Sequence, residues 1–346
     1  MPDATYGYVR SLSSADLREV SLPILMMNAF HLMQKPGSTV INTLGGLHRM
    51  AAWSGLIMTD SGGFQAYSLI RQNAKFGSLG DKGIIFYPEA SSRKLLLTPE
   101  KSIQLQMSYG SDILVCLDDC THVNASRAEQ EASVTRTLAW AARAKSSYLA
   151  QLRSRKWSEE ERPLIFAVIQ GGGELDLRRR CAEGLLEIGF DGFGFGGWPL
   201  DEDSRLLTDI LEYTRSLIPR EFPIHALGIG HPAGLAASYR LGYEMFDCAL
   251  PTRDARHGRL FTWSESDPIL SADGDWLKFR YINSEENFRD TGPISPDCDC
   301  ECCRDYAMAY LFHLYRMRDP GYMRLATKHN LRFMTRLIER LRAQNA

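Results

Sequence analysis

No apolar stretch in the 346-residue sequence approaches the roughly 18 residues that a membrane-spanning helix needs. The start, Met1-Pro-Asp-Ala-Thr-Tyr6, lacks the basic-then-apolar pattern of a secretory signal. These two absences predict a cytoplasmic chain with no membrane partner. An excess of one charge sign is lacking too. The 40 Lys and Arg stand against 42 Asp and Glu, a net charge of -2, which excludes a generally polycationic nucleic-acid binder. A local basic groove stays open, because steering depends on where charge sits. In a reducing compartment a disulfide framework is disfavoured, so the eight cysteines read as thiols or metal ligands. What is present is an ordinary globular composition, 44% hydrophobic, long enough for one large α/β domain with an insertion or for two domains.

The chain alternates apolar runs with helical patterns, and one run after another ends on a polar or glycine-rich punctuation. Leu22–Asn28, Gly55–Asp60, Ser111–Leu117, Leu164–Ile169, Phe190–Gly197, Pro223–Leu227 and the run that ends at Asp247 read as strands. Helices are expected over about 41–53, 98–109, 127–153 and onward to 188 and 217, with a hairpin-like excursion over 78–97. Strands separated by helices imply parallel βαβ units. Seven or eight of them favour a (β/α)8 barrel, whose chemistry sits at the C-terminal strand ends. Asn28, Asp60, Asp118, Gln170, Gly196, Gly197, Leu227 and Asp247 would then ring one mouth.

Tyr243-Glu-Met-Phe-Asp-Cys-Ala-Leu-Pro-Thr-Arg-Asp-Ala-Arg-His-Gly258 carries the most specific chemistry. It delivers one carboxylate, Asp247, into a proline-marked turn followed by Arg253 and Arg256. This suits a nucleophile or acid working on a phosphate-bearing substrate, and equally a capping aspartate beside solvated arginines. Ser61-Gly-Gly-Phe-Gln65 allows close backbone approach to a ligand with Phe64 as a flat face, or is a tight turn capped by Asp60 and Ser61. Gly192-Phe-Gly-Phe-Gly-Gly197 satisfies G-x-G-x-x-G, but its glycines lie inside an apolar strand and not in a strand-to-helix turn, so no dinucleotide site is expected. Cys298, Cys300, Cys303 and His329 form C-x-C-x2-C-x25-H, three thiolates and an imidazole suited to a closed tetrahedral structural Zn2+ site. Cys298, Cys302 and Cys303 offer an alternative thiol set. Cys116, Cys120, Cys181 and Cys248 read as small core residues. The division expected is a barrel over residues 1–275 and a zinc-binding subdomain with C-terminal helices over residues 276–346.

Thr59-Asp-Ser-Gly-Gly-Phe-Gln65, Phe246-Asp-Cys-Ala-Leu-Pro-Thr-Arg253 and the Cys3His spacing, in that order, resemble the tRNA-guanine transglycosylases, the queuine/archaeosine tRNA-ribosyltransferases. The resemblance runs over nearly the whole chain. It implies a TIM barrel with a zinc subdomain that exchanges a guanine in the tRNA anticodon loop for a 7-deazaguanine: preQ1, preQ0 or queuine. By that likeness Asp247 is the nucleophile that forms a covalent bond to the ribose, and Asp60 the general acid/base. Asp118, Gln170, Gly197 and Ser61 match base-reading positions, with Gly196 alongside. Phe64 and Leu227 match the plates around a flipped base, Glu202 a loop acid, and Arg253 and Arg256 phosphate grips.

Departures from the family pattern are local. Trp198-Pro-Leu-Asp-Glu202 stands where the family carries Leu-Ala-Val-Gly-Glu, and Pro199 removes an N–H from the loop that meets the 7-substituent. His231 stands where bacterial members often place a lysine against the nucleic acid. The N-terminal β segment that closes the barrel bottom in the family is not evident ahead of the first strand. The altered loop and the short N-terminal stretch motivate a second reading, a DNA-modifying relative. A non-catalytic partner subunit or a zinc-stabilised nucleic-acid binder without chemistry would leave Asp60 and Asp247 unexplained. The amphipathic, arginine-rich stretch 323–346 fits either a homodimer contact, as in the family, or a solvated helix.

Overall fold

The computed structural model describes residues 1–64, 68, 70, 74–87, 95–122, 124–265, 269–271 and 274–344. Gln65, part of the 78–97 excursion and the last two residues of the C-terminal stretch lie outside them.

Seven parallel strands form one curled sheet: β1 (Ile24–Asn28), β2 (Leu56–Asp60), β6 (Ile113–Val115), β7 (Leu164–Ile169), β8 (Gly192–Phe195), β9 (Ile224–Ala226) and β10 (Met245–Phe246). They neighbour one another in chain order, as a barrel requires. Parallel strands covered by helices on one side and packed together on the other are buried on both faces, which is why β6 and β7 read as continuous apolar runs. The barrel interior is filled by Met26, Met58, Ile113, Val115, Phe166 and Val168, with Leu227 and Met245 against them.

The first four residues supply a stave that the sequence pattern does not reveal. Pro2 bridges Cys248 and Asp3 bridges Met26, both in parallel sense. Cys248 N–H donates to the Met1 carbonyl, and on the other side Met26 N–H donates to the Pro2 carbonyl at 3.2 Å and accepts at its own carbonyl from Ala4 N–H at 2.7 Å. Residues 1–4 thus run between the last strand and the first, so the ring is closed there.

β8 alternates glycine with phenylalanine, and at and just after it the glycines leave space that neighbouring side chains need. A Cβ on Gly192 would lie 2.3 Å from the Phe166 ring, and one on Gly196 2.5 Å from the Gln170 amide nitrogen. These glycines make room for barrel side chains, in agreement with the dismissal of a dinucleotide loop.

Other expectations differ in detail. The helix read over 41–53 is two short helices, Ser38–Thr43 and Leu47–Ala51. Gly45 and Gly46 between them take φ of +84° and +92°, which breaks the helical run. The excursion is a three-stranded antiparallel sheet of β3 (Gly77–Gly80), β4 (Gly83–Phe86) and β5 (Leu95–Leu97). The long helix Arg127–Arg155 starts on a capping box, with Ser126 and Glu129 satisfying each other's backbone N–H groups.

Beyond the barrel, β11 (Arg259–Trp263) pairs antiparallel with β12 (Leu277–Tyr281), so this hairpin carries the chain into the cysteine-bearing segment. The final helix, Pro320–Gln344, packs along the helix Leu250–Arg256 and onto β11, with Leu325, Phe333, Leu337 and Leu341 buried. Its apolar face is therefore covered within the chain. Lys328, fully buried, sits among Asp16, Glu19 and Glu301, and with Arg324 ties this helix to the helix Ser14–Glu19. Those three acids converge closely enough to hold a cation, and the Lys328 ammonium already occupies the place. No helix among the described residues is long and apolar enough to cross a membrane.

Candidate active site

The C-terminal strand ends open onto a cavity of about 370 Å³. Eight of the predicted site residues line it: Asp60, Phe64, Asp118, Gln170, Gly196, Gly197, Leu227 and Asp247. A larger cavity of about 500 Å³ lies toward the strand beginnings, walled mainly by apolar residues such as Leu22, Leu164 and Met334. The polar cluster belongs to the mouth.

Each acid is placed by the strand before it. Asp60 closes β2, and its register partner on β1 is Asn28, whose Nδ2 donates to Asp60 Oδ2 at 2.9 Å. Ser61 is fully buried; its Oγ bonds Asp60 Oδ1 at 3.4 Å and accepts from Gly63 N–H at 3.2 Å, so it stands behind the acid. Asp118 follows β6 and accepts a 2.6 Å bond from Gln170 Nε2 at the end of β7. Burial, reinforced by Asp60 and Asp119, outweighs that bond and raises the Asp118 carboxyl to about 7. Gln170 Oε1 is buried with no partner, an acceptor left for a ligand.

Asp247 shows the opposite balance. Burial would raise its pKa, but His225 Nε2 lies 2.8 Å from Oδ1 and Gly228 N–H donates to the same oxygen at 3.1 Å. Together they hold the carboxyl below its ordinary value, as the anion. Leu250 and Pro251 after it start the helix Leu250–Arg256, which puts Arg253 and Arg256 one turn apart on one face.

Phe64 and Trp198 meet edge to face at 5.8 Å over the cavity, with Leu227 in the lining too. Glu202 stands outside the lining, exposed, and hydrogen-bonds Asn124, tying the loop after β8 to the loop after β6. His231 is exposed and lies against Phe279.

Three contributors escape the sequence reading. His225 is one polar residue in an apolar strand. Arg178 is 1% exposed, and its guanidinium donates to the carbonyls of Ile169, Gly172 and Gly196, bracing the ends of β7 and β8 beneath the cavity. Burial lowers its pKa to about 10, leaving it charged at neutral pH. Burial lowers the Arg256 pKa, and the charges of Arg10 and Arg253 add to this against the opposing pull of Asp3, while Arg256 NH1 is buried without a partner. A cationic group of this kind awaits an anion.

Beyond the barrel strands, Cys298, Cys300, Cys303 and His329 bring their donor atoms within 4.8 Å of one another, all buried. Cys298 and Cys300 sulfurs are 3.4 Å apart and Cys303 Sγ is 3.2 Å from His329 Nδ1. A tetrahedral ion with metal–sulfur bonds of about 2.3 Å has edges of about 3.7 Å, so the four donors fit a metal ion. His329 Nε2 is 2.7 Å from the Phe261 carbonyl, which fixes the ring with Nδ1 toward the thiols. Cys302 is buried outside this set, which removes the alternative ligand group.

A closed parallel barrel with acids at its strand ends, beside a Cys3His cluster, defines a barrel enzyme that works on a ligand at that mouth. Comparison with known proteins narrows the class. A family model described as queuine tRNA-ribosyltransferase matches residues 1–344. The chain is 35% identical over 342 residues to a queuine tRNA-ribosyltransferase of Psychrobacter sp. (strain PRwf-1), covering 99% of this chain and 84% of that protein. It is 38% identical over 342 residues to the protein of that name from Solidesulfovibrio magneticus, covering 99% and 85%. The chain belongs to the queuine tRNA-ribosyltransferase family, the tRNA-guanine transglycosylases that its motifs resemble.

Proposed function

We propose that this protein exchanges a guanine in the tRNA anticodon loop for a 7-deazaguanine through a covalent bond between Asp247 and the ribose. The observation that carries this is the pair of strand-end carboxylates on one cavity. Asp247 is held as an anion with both of its described hydrogen bonds on Oδ1, and Asp60 faces the same space. In the first half-reaction an Asp247 oxygen bonds C1′, the C1′–N9 bond breaks with its electron pair on the base, and the base takes a proton from Asp60. In the second, Asp60 takes the proton of the incoming base, whose nitrogen bonds C1′ while Asp247 leaves with its electron pair. Two displacements retain configuration.

Base recognition follows from the donors of the guanine edge. Its N1–H and exocyclic amine need acceptors, which Asp118 and Gln170 Oε1 supply, while Phe64 and Leu227 form the plates. Asp118 accepts fully only as the carboxylate. Because burial raises it to about 7, it is ionised above that pH and protonated below it. The KM for guanine should therefore rise about fivefold from pH 7 to pH 6 and flatten above pH 8, read from initial exchange rates; a flat KM across this range would remove Asp118 from base reading.

Arg253 and Arg256, with Arg10, are the phosphate grips, and the Cys3His site holds structural Zn2+. Arg256→Ala should raise the KM for tRNA about tenfold and leave the KM for guanine unchanged. Equal changes in both would place the arginine in the base pocket instead.

The test is incorporation of labelled guanine into unmodified tRNA and duplex DNA offered in parallel. Label in tRNA, then chased by preQ1, preQ0 or queuine, is the expected result. Label in DNA alone moves the protein to a DNA-modifying reaction, and label in neither leaves it a binding subunit.

A further inference from the structure

We propose that His225 is the positioning residue of the nucleophile, setting which Asp247 oxygen attacks and how readily Asp247 leaves. This rests on the reading of Asp247 as nucleophile and assigns a role to a residue that reading does not use.

The placement is dictated by the sheet. His225 is the middle residue of β9, facing Met245 of β10 in register, and β10 ends at Phe246, directly before Asp247. Its ring is 1% exposed, and its described polar partner is the Asp247 carboxylate, 2.8 Å from Nε2. An imidazole buried in the wall of an apolar barrel is costly unless a specific partner uses it. Here the partner is held as an anion, so Nε2 carries the proton and donates.

Both described donors to Asp247, His225 Nε2–H and Gly228 N–H, converge on Oδ1. Two donors on one oxygen fix the rotation of the carboxylate and leave Oδ2 as the oxygen that bonds C1′. They also draw charge onto Oδ1. That makes the carboxylate a slightly poorer nucleophile in the first displacement, where the O–C1′ bond forms and C1′–N9 breaks. It makes Asp247 a better leaving group in the second, where the same O–C1′ bond breaks and its electron pair returns to the carboxylate. Removing the donor should therefore slow resolution of the covalent species more than its formation.

The experiment compares H225F and H225Q with the native protein. Three quantities are read: the kcat for guanine exchange into tRNA, the fraction of enzyme trapped on denaturing gels as a covalent tRNA adduct at steady state, and Tm. H225F should lose about tenfold to a hundredfold in kcat, the range for a hydrogen bond to a charged group, while its adduct fraction rises several-fold. H225Q presents an amide N–H at nearly the position of Nε2 and should stay within about threefold of native in both. If H225F gives no cooperative thermal transition, H225N, too short to reach Asp247, takes its place. An adduct fraction that stays at the native level while kcat falls, or a Gln variant as impaired as Phe, would reduce His225 to a packing residue. D247A separates the two layers: an adduct formed by that variant would overturn the nucleophile itself, whatever His225 does.

Discussion

Asp247→Ala should lower guanine exchange by about 10⁴-fold or more and abolish the covalent tRNA adduct, with the protein still folded. The size of the effect comes from the role: the lost group forms the bond that divides the exchange into two displacements, so its loss removes the pathway and not merely one contact within it. Among the described residues, the other acids on the cavity cannot substitute: Asp3 accepts from the Thr5 N–H and hydroxyl. Asp118 is engaged by Gln170 and drawn toward its neutral form, and Asp60 is engaged by Asn28 and Ser61. Stability should change little by comparison. The variant deprives His225 and the Gly228 N–H of their acceptor, a cost of about 1–3 kcal/mol, partly returned because a buried anion is no longer held out of water. A Tm within a few degrees of native together with lost exchange is the expected pair of readings. Exchange within tenfold of native would sink the assignment. A collapsed Tm would mean that Asp247 is chiefly a structural partner of His225.

The acids Asp60, Asp118 and Asp247 were legible because parallel strands announce themselves as apolar runs, and a charged residue ending such a run has a fixed place in a barrel. The Cys3His set was legible because its spacing specifies its geometry, and the fold brings together the same four residues and leaves Cys302 outside them. His225 was not legible for a physical reason. It is 22 residues from Asp247, and only the pairing of β9 with β10 joins them, so no local spacing carries the signal. Arg178 stands in an arginine triplet, 178–180, that reads as a solvated helix face, yet one member points inward onto three carbonyls while Arg179 and Arg180 remain exposed. The stave formed by residues 1–4 is too short to show any period. Its evidence is the two-sided backbone bonding to Met26 and Cys248.

Removal of the metal, by chelation or through Cys300→Ser, should destabilise the protein by about 5 kcal/mol or more and lower Tm by about 10 °C, with recovery when Zn2+ is returned to the chelated native protein. The site joins three parts of the chain: the cysteine segment, the helix Pro320–Gln344 through His329, and β11 through the bond between His329 Nε2 and the Phe261 carbonyl. Its apolar surroundings, including Leu260, Ile282, Leu311 and Leu325, would persist without the ion, so the loss should fall short of the roughly 10–16 kcal/mol of metal binding in isolated zinc modules. The effect should also reach the active site along a definite route. Asn330, next to His329, donates to the carbonyls of Pro251 and Arg259 and accepts from Phe261 N–H, pinning the start of the helix that carries Arg253 and Arg256. Partial metal loss should therefore raise the KM for tRNA before it lowers kcat, because the phosphate grips loosen while β9 and β10 still hold His225 against Asp247. An apo-protein with native Tm would overturn the structural role of the metal. A kcat that falls first at unchanged KM would instead place the ion's influence on the nucleophile.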